Sequence, residues 1–381
     1  MQKKNQENNL KNYASKSLRT KGRIFDEKES YVRSPYQRDR DRIIHSSSFR
    51  RLKHKTQVFV NTSGDHYRTR ITHSMEVSQI SRTIARFLNL NEDLCETLSL
   101  AHDLGHTPFG HAGEDVLSKC MEKYGGFDHN IQTLRIVTLL ENKYYNFLGL
   151  NLTIETLDGL LKHNGPLDDI ATLNSIMKKD VFDGKIIFNK SPSLEAQVSA
   201  ISDDIAYNNH DLEDGLRSGL FQLNQLREIP FVSKVVKKHI NNIKNFRKEI
   251  IISQITRELI NHMVEDVINE SCKNLKKYKP KSIKEIYSLT KPIVTFSKGM
   301  KVIDKYIKQF LSKNMYNNKK VIKNTNKGKK IIKNLFKHIN NKPDKYINKM
   351  LFLNDNKERV VADFIAGMTD RYAINLYEKI K

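Results

Sequence analysis

Tryptophan is absent from this 381-residue chain, cysteine occurs three times and proline eight times. Cys95, Cys120 and Cys272 are odd in number, widely spaced and form no CxxC pair, which excludes a disulfide scaffold and a zinc ribbon. Eight prolines and 16 glycines are too few for an all-β chain of this length, and period-2 alternation is nearly missing. No run approaches the ~18 apolar residues of a membrane span. The opening MQKKNQENNLKNYASKSLRT has neither an apolar core nor a cleavage site. The expectations are no membrane association and a reducing, cytoplasmic setting. What is present is ample for a core: 38% of residues are hydrophobic, and 29% charged excludes wholesale disorder.

Acid is scarce in one region. Residues 271–350 hold 23 Lys, no Arg and only Glu285, Asp304 and Asp344 as acids, so this window carries +20 of the chain's +23. It is rich in Asn as well, as in Asn314–Lys330, NMYNNKKVIKNTNKGKK. A solvated helical region explains it; a surface for nucleic acid or polyphosphate is the sharper alternative. Arginine is distributed in the opposite way, with nine between Arg38 and Arg86. That concentration points to sites needing a planar, bidentate fork, either phosphate or local carboxylates such as Asp39, Asp41 and Glu76.

Helix signals dominate. Val77, Ile80, Ile84, Phe87 and Leu88 share one 3.6-period face after His73, Asn91 reads as a cap, and Glu92–His102 continues through Leu94, Leu98 and Leu100. Phe127–Leu140, Thr153–Lys162, Ser193–Asn208, Asp211–Leu223 and Ile240–Asn269 read as further helices, and Arg359–Tyr377 regains apolar periodicity. Only Thr56–Val60 and Lys185–Phe188 suggest strands. The fold class is therefore mostly α.

The densest chemistry lies in Ala101–His111, AHDLGHTPFGH, where three histidines and a carboxylate fall within ten residues at a helix end and a Gly/Pro turn. Imidazole plus carboxylate suits a divalent metal. Adjacent His102 and Asp103 point about 100° apart on a helix, so a shared ion must draw further ligands from elsewhere. His73 and the Asp203-Asp204 pair, set in an otherwise apolar helix, are the candidates, since a carboxylate pair there is costly to bury without a cation.

The chain resembles the deoxyguanosine triphosphate triphosphohydrolase family of the HD-domain phosphohydrolases. The matching segments are Arg38–Val60 (RDRDRIIHSSSFRRLKHKTQVFV), Arg68–Val77 (RTRITHSMEV), His102–Glu114 (HDLGHTPFGHAGE), Gly126–Arg135 (GFDHNIQTLR), LKHNGP ending at Pro166, Ser193–Leu216 (SLEAQVSAISDDIAYNNHDLEDGL) and Arg359–Ala373 (RVVADFIAGMTDRYA). The resemblance implies an HD-domain helical fold; composition and periodicity divide the chain into a flexible polar arm over 1–30, a core over 31–270, the Lys/Asn-rich helical region over 271–350, where no family motif matches, and a segment 351–381 packing on the core. It implies that His73, His102, Asp103 and Asp203 hold a divalent metal, Mg²⁺, Mn²⁺ or another transition ion. Asp203 is preferred to Asp204 because Tyr207 follows it by four.

By the same resemblance His111 and Glu114 form an acid–base pair, with His129 and His106 beside them. Gln57, Tyr207 and Asp211 read the sugar, and Arg70 and Lys162 meet phosphate. Asp363 and Arg371 complete the pocket or a subunit contact. The implied activity is metal-dependent cleavage of a deoxynucleoside triphosphate at the α-phosphorus, giving a deoxynucleoside and tripolyphosphate. The implied partners are a dNTP substrate, a dNTP or single-stranded DNA activator, and copies of the same chain, as a hexamer. An HD phosphohydrolase acting on another nucleotide, as phosphomonoesterase or phosphodiesterase, is the second reading. A nucleic-acid-binding protein with a regulatory hydrolase site is the third.

Overall fold

Polar caps punctuate the chain, and helices follow them. In the computed structural model, which describes residues 7–57, 68–177, 182, 184–240, 246–348 and 355–381, α1 (Pro35–Ile44) starts at Ser34. The Ser34 side chain accepts from the Gln37 amide while Gln37 returns the bond, and Pro35 takes the first helical position. α2 (Ser47–Arg51), α3 (Arg70–Leu88) and α4 (Glu92–Ala101) follow, α3 stopping where Asn89 enters the left-handed region at φ 53°. α5 (His111–Met121), α6 (His129–Arg135), α7 (Ile154–Leu161) and α8 (Ile170–Ile176) lead to α9, a 24-residue rod over Leu194–Arg217.

The remainder comprises α10 (Pro230–Ile240), α11 (Lys248–Tyr278), α12 (Ile283–Tyr287), α13 (Lys298–Leu311), α14 (Lys319–Asn341), α15 (Lys357–Ala366) and α16 (Asp370–Ile380). Among the described residues there is no β-strand, and extended backbone pairs only in isolated bridges such as Thr56 with Thr69. The chain is mostly α, as its composition indicates. No described helix is long and apolar enough to cross a membrane.

Several boundaries depart from the sequence reading. Lys185–Phe188, expected as a strand, is irregular backbone, and residues 58–60 of the other strand candidate lie outside the described residues. The helices expected over Ser193–Asn208 and Asp211–Leu223 are one, α9, because no glycine or proline stands between them. Phe127–Leu140 begins instead at His129, capped by Asp128, and ends in a π turn over Ile136–Leu140. Arg359–Tyr377 splits into α15 and α16, since Thr369 caps a new start. Phe87 is 61% exposed, although the rest of its predicted face is buried.

Three apolar clusters make up the core. The first joins α3, α9, α10, α11 and α13; the second joins α1, α4, α6, α7 and α8; the third joins α5, α14, α15 and α16. α9 packs along α3, α4 and α11 and so lies at the centre of the bundle.

Residues 7–30, expected as a loose arm, are anchored at several points. Ser15 donates from both its amide and its hydroxyl to Glu195 at the start of α9. Buried Arg23 forms an ion pair with fully buried Asp39 at 2.6 Å and donates to the Asn151 carbonyl. A low fraction of apolar residues hid this, because the anchoring is polar. Arg23→Met strands Asp39 without its counter-charge and should cost about 3–5 kcal/mol in denaturant unfolding. A loss below about 1 kcal/mol would show that the pair does not anchor the segment.

Candidate metal centre

Three helices converge on one point. α3 opens with Arg70 and presents His73 one turn later; α4 ends at Ala101, so His102 and Asp103 stand just past its last turn; α9 contributes Asp203 from its middle. His73 Nε2 lies 2.8 Å from Asp203 Oδ1. His102 Nδ1 is 2.7 Å from the Ser99 carbonyl, which fixes the ring and directs Nε2 inward. That Nε2 is buried without a hydrogen-bond partner among the described residues, at 3.5 Å from Asp203 Oδ1 and 3.6 Å from Asp103 Oδ1.

One ligand atom from each of His73, His102 and Asp203 falls within 4.8 Å of the others. A partnerless imidazole nitrogen facing carboxylate oxygens is a donor set that fits a divalent cation. Asp103 stands at the edge of this group. Its Oδ2 accepts from Arg70 at 2.9 Å and its Oδ1 lies 3.1 Å from His106 Nε2.

The electrostatics agree with that fit. Burial works against ionised Asp103 and Asp203, yet both lie well below the usual carboxylate range: Arg70 and His102 act on Asp103, and His102, His163 and His73 on Asp203. Burial also works against protonated His102, but Asp103 and Asp203 outweigh it and raise the imidazole to about 9. Without an ion, protonated His102 and Arg70 balance the two carboxylates; a divalent cation would take the place of the His102 proton.

Beside it lies a second cluster of His106, His111, Glu114 and His129. Glu114 Oε1 is 2.7 Å from His129 Nδ1 and accepts from the His129 amide, while Oε2 is 3.2 Å from His111 Nδ1. Burial opposes Glu114 ionisation, but hydrogen bonds from His111 and His129 hold it far below its ordinary range. His129 is raised by Glu114 against its own burial, and His106, stacked on it at 4.0 Å, is driven well down by burial and by Arg70. His111 is 63% exposed at the mouth of the cluster. Gly105 allows the close packing: a Cβ there would sit 2.0 Å from the His129 carbonyl oxygen.

Not every predicted residue reaches the centre. Lys162 is buried and its ammonium pairs with Asp158 at 2.6 Å, one turn back on α7, so it does not meet the site as a phosphate contact. Its neighbour His163, missed in the sequence although adjacent in LKHNGP, is the one that faces Asp203, at 3.3 Å, and stacks on His102. Arg70, expected on phosphate, is paired with Asp103. Asp204 turns outward to Lys308 at 2.8 Å, which leaves Asp203 as the inward carboxylate. Asp363 is taken up by Arg135 at 2.6 Å, and Arg371 is exposed.

Tyr207 and Asp211 share the α9 face below Asp203. Tyr316, 105 residues further on, donates to Asp211 Oδ2 and packs against Tyr207 at 6.5 Å. No local signal could have announced it. Burial lifts Asp211 to about 8, and its Oδ1, like Gln57 Oε1, is buried without a partner among the described residues. Both are polar atoms suited to a ligand's hydroxyls.

Comparison with known proteins adds independent findings. Residues 70–208 match the HD domain and residues 294–379 match the phosphohydrolase-associated domain. A protein of Pelagibacter ubique named deoxyguanosinetriphosphate triphosphohydrolase-like is 61% identical over 97% of this chain and 100% of its own length. Proteins of the same name from Bartonella quintana and Parvibaculum lavamentivorans are 48% and 46% identical, covering 97% of this chain and 94% and 95% of theirs.

A cation bound at this centre should raise thermal stability. At a Mn²⁺ concentration about 100 times Kd the gain is about 2.7 kcal/mol. His102→Ala should abolish that gain while remaining folded by circular dichroism; an undiminished shift in the variant would remove His102 from the ligand set.

Proposed function

We propose that this chain, which belongs to the deoxyguanosinetriphosphate triphosphohydrolase-like family of HD phosphohydrolases, hydrolyses deoxynucleoside triphosphates at the α-phosphorus, releasing deoxynucleoside and tripolyphosphate. The observation that carries the reading is the partnerless, buried His102 Nε2 set between Asp103 and Asp203, connected through Asp103 and His106 to a relay of His111, Glu114 and His129.

His73, His102 and Asp203, with Asp103 as fourth donor, would hold a divalent ion, which supplies Lewis-acid polarisation of the phosphoryl oxygen and of the attacking water. The chain's own residues do the rest. His111, exposed on one ring side and tied through Nδ1 to Glu114, can give a proton from Nε2 to the departing sugar oxygen. Glu114 stays ionised and orients both His111 and His129, whose raised basicity suits a group holding a proton near phosphate. Arg70 neutralises Asp103 and keeps its guanidinium at the same centre.

Tyr207, Tyr316 and Asp211 form a wall next to Asp203. A flat tyrosine pair against the ribose leaves little room for a 2′-hydroxyl, and the unpartnered Asp211 Oδ1 suits a sugar 3′-hydroxyl. This supports a deoxyribose preference.

Purified protein incubated with Mn²⁺ and each of the four dNTPs, then GTP, should yield deoxynucleoside plus tripolyphosphate and leave GTP intact by chromatography. Monophosphate or diphosphate products would refute α-phosphorus cleavage. His111→Ala should lower kcat by about 10²–10⁴ with metal binding kept. Unchanged kcat would sink its role as the acid.

A further inference from the structure

The turn ahead of His111 is bent in an uncommon way. Phe109 sits in the left-handed region at φ 63°, and Gly110 follows it at φ 57°. A bulky residue keeps such a conformation only where its surroundings impose it. His111 comes next and opens α5, 63% exposed, with Glu114 as its hydrogen-bond partner. Exposed as it is, its place depends on the backbone that leads into it.

What imposes the turn comes from the far end of the chain. Asp370 Oδ1 accepts from the Phe109 amide at 3.0 Å. Asp370 Oδ2 accepts from the Thr56 amide at 3.0 Å and from the Thr56 hydroxyl. Asp370 is buried, and α16 does not need it as a cap, because the Thr369 side chain already accepts from the Tyr372 amide. A buried carboxylate is costly, and this one directs its oxygens to two other segments of the chain. Lys55 adds a parallel tie, its ammonium donating to the carbonyls of His106 and Ala366. α14 closes on the Phe109 ring at Gly328, where a Cβ would lie 2.7 Å from it.

Each segment that Asp370 joins leads to a residue of the proposed site. Thr56 precedes Gln57, and Phe109 stands two positions before His111. The segments meet at Gly110, where a Cβ would lie 3.6 Å from the Gln57 carbonyl oxygen and 3.0 Å from an Arg70 guanidinium nitrogen. Asp370, Ala366 and Gly328 all belong to the carboxy-terminal helices.

We propose that Asp370 is a positioning residue for the hydrolysis: its carboxylate holds the turn that places His111 in register with the segment carrying Gln57. The inference rests on the role given to His111 above. It makes α16 a participant in the reaction through a histidine of another helix.

Asp370→Asn keeps the side-chain volume but leaves one oxygen for two sets of donors. With the dNTP that wild type cleaves, kcat should fall about 10–10²-fold while KM stays nearly unchanged. Mn²⁺ should stabilise the variant as it does wild type, since neither Thr56 nor Phe109 belongs to the metal centre. In a His111→Ala background the same substitution should change kcat less than about twofold, because the group it places is gone. Wild-type kcat in Asp370→Asn, or an equal loss in both backgrounds, overturns the proposal. Should Asp370→Asn not fold, Gly328→Ala displaces the Phe109 ring without touching Asp370 and should lower kcat with the same dependence on His111; unchanged kcat there overturns it as well.

NMR of histidine-labelled protein reads the placement with no turnover. The His111 Cε1 signal, assigned by its absence in His111→Ala, should move in Asp370→Asn while that of His73 stays. An unmoved His111 signal overturns the inference whichever nucleotide the protein cleaves, so its failure is separate from failure of the activity proposed above.

Discussion

Two carboxylates, Asp103 and Asp203, face each other across His102, and the packing of the central helices depends on neutralising them. Leaving such charges unpaired in a helical core costs several kcal/mol. The chain meets the requirement with groups from separate elements: charge from Arg70 on α3 and from His102 after α4, and imidazole nitrogens facing the carboxylates from His73 on α3, His106 in the turn after α4 and His163 past the end of α7. None of these elements can slide along α9 without exposing a carboxylate to an empty side. The long α9 rod is fixed at its start as well, where Glu195 accepts from Ser15 and from the Asn91 amide. Further along, Tyr316 holds Asp211. A single helix therefore ties the amino-terminal segment, the metal centre and the carboxy-terminal helices together.

Cation type follows burial. Arginine serves inside or near the surface of the fold, where a rigid fork can satisfy two or three acceptors; Arg135, fully buried, bonds Asp363, Asp355 and the Ile176 carbonyl. For the arginine-rich stretch near the amino terminus the sequence left phosphate and local carboxylates as alternatives; its members mainly tie helices through Glu27, Glu29, Glu76, Glu92 and Glu96. Two described lysines are buried: Lys162, paired with Asp158, and Lys55, which the main chain solvates. Lys55 donates to the carbonyls of His106 and Ala366, and burial brings its ammonium down to about 7. That bond links the histidine-rich turn directly to the last turn of α15.

Helix class was readable from periodicity and caps, because both are local. The His102–His111 turn was equally plain, since its residue types have few uses in common. Harder to read was which of two adjacent polar residues turns inward. Lys162 and His163 differ by one position, and the outcome is set by Asp158, which claims the lysine one turn back and leaves the imidazole for Asp203. The choice between Asp203 and Asp204 depends likewise on a distant residue, Lys308. Tyr316 was invisible for the same reason: its partner Asp211 lies on another element, and nothing in Asn314–Lys330 marks it out.

That lysine-rich region also shows how composition can drift while a fold persists. α14 is crowded with lysine and asparagine, yet Ile331, Ile332, Leu335, Phe336 and Ile339 remain buried against α5, α15 and α16. The spacing of one, three and four keeps a continuous apolar stripe, which is all the interface demands. Exposed positions bear no such constraint, so they can accumulate lysine at little cost in stability. Gly328 marks the limit of that freedom, since a Cβ there would lie 2.7 Å from the Phe109 ring, in the turn that carries His106 and His111. The segment with the least readable sequence thus supports the turn with the most readable one, through the close approach of Gly328 to Phe109 and through Lys329, which pairs with Asp115 on the helix that His111 opens.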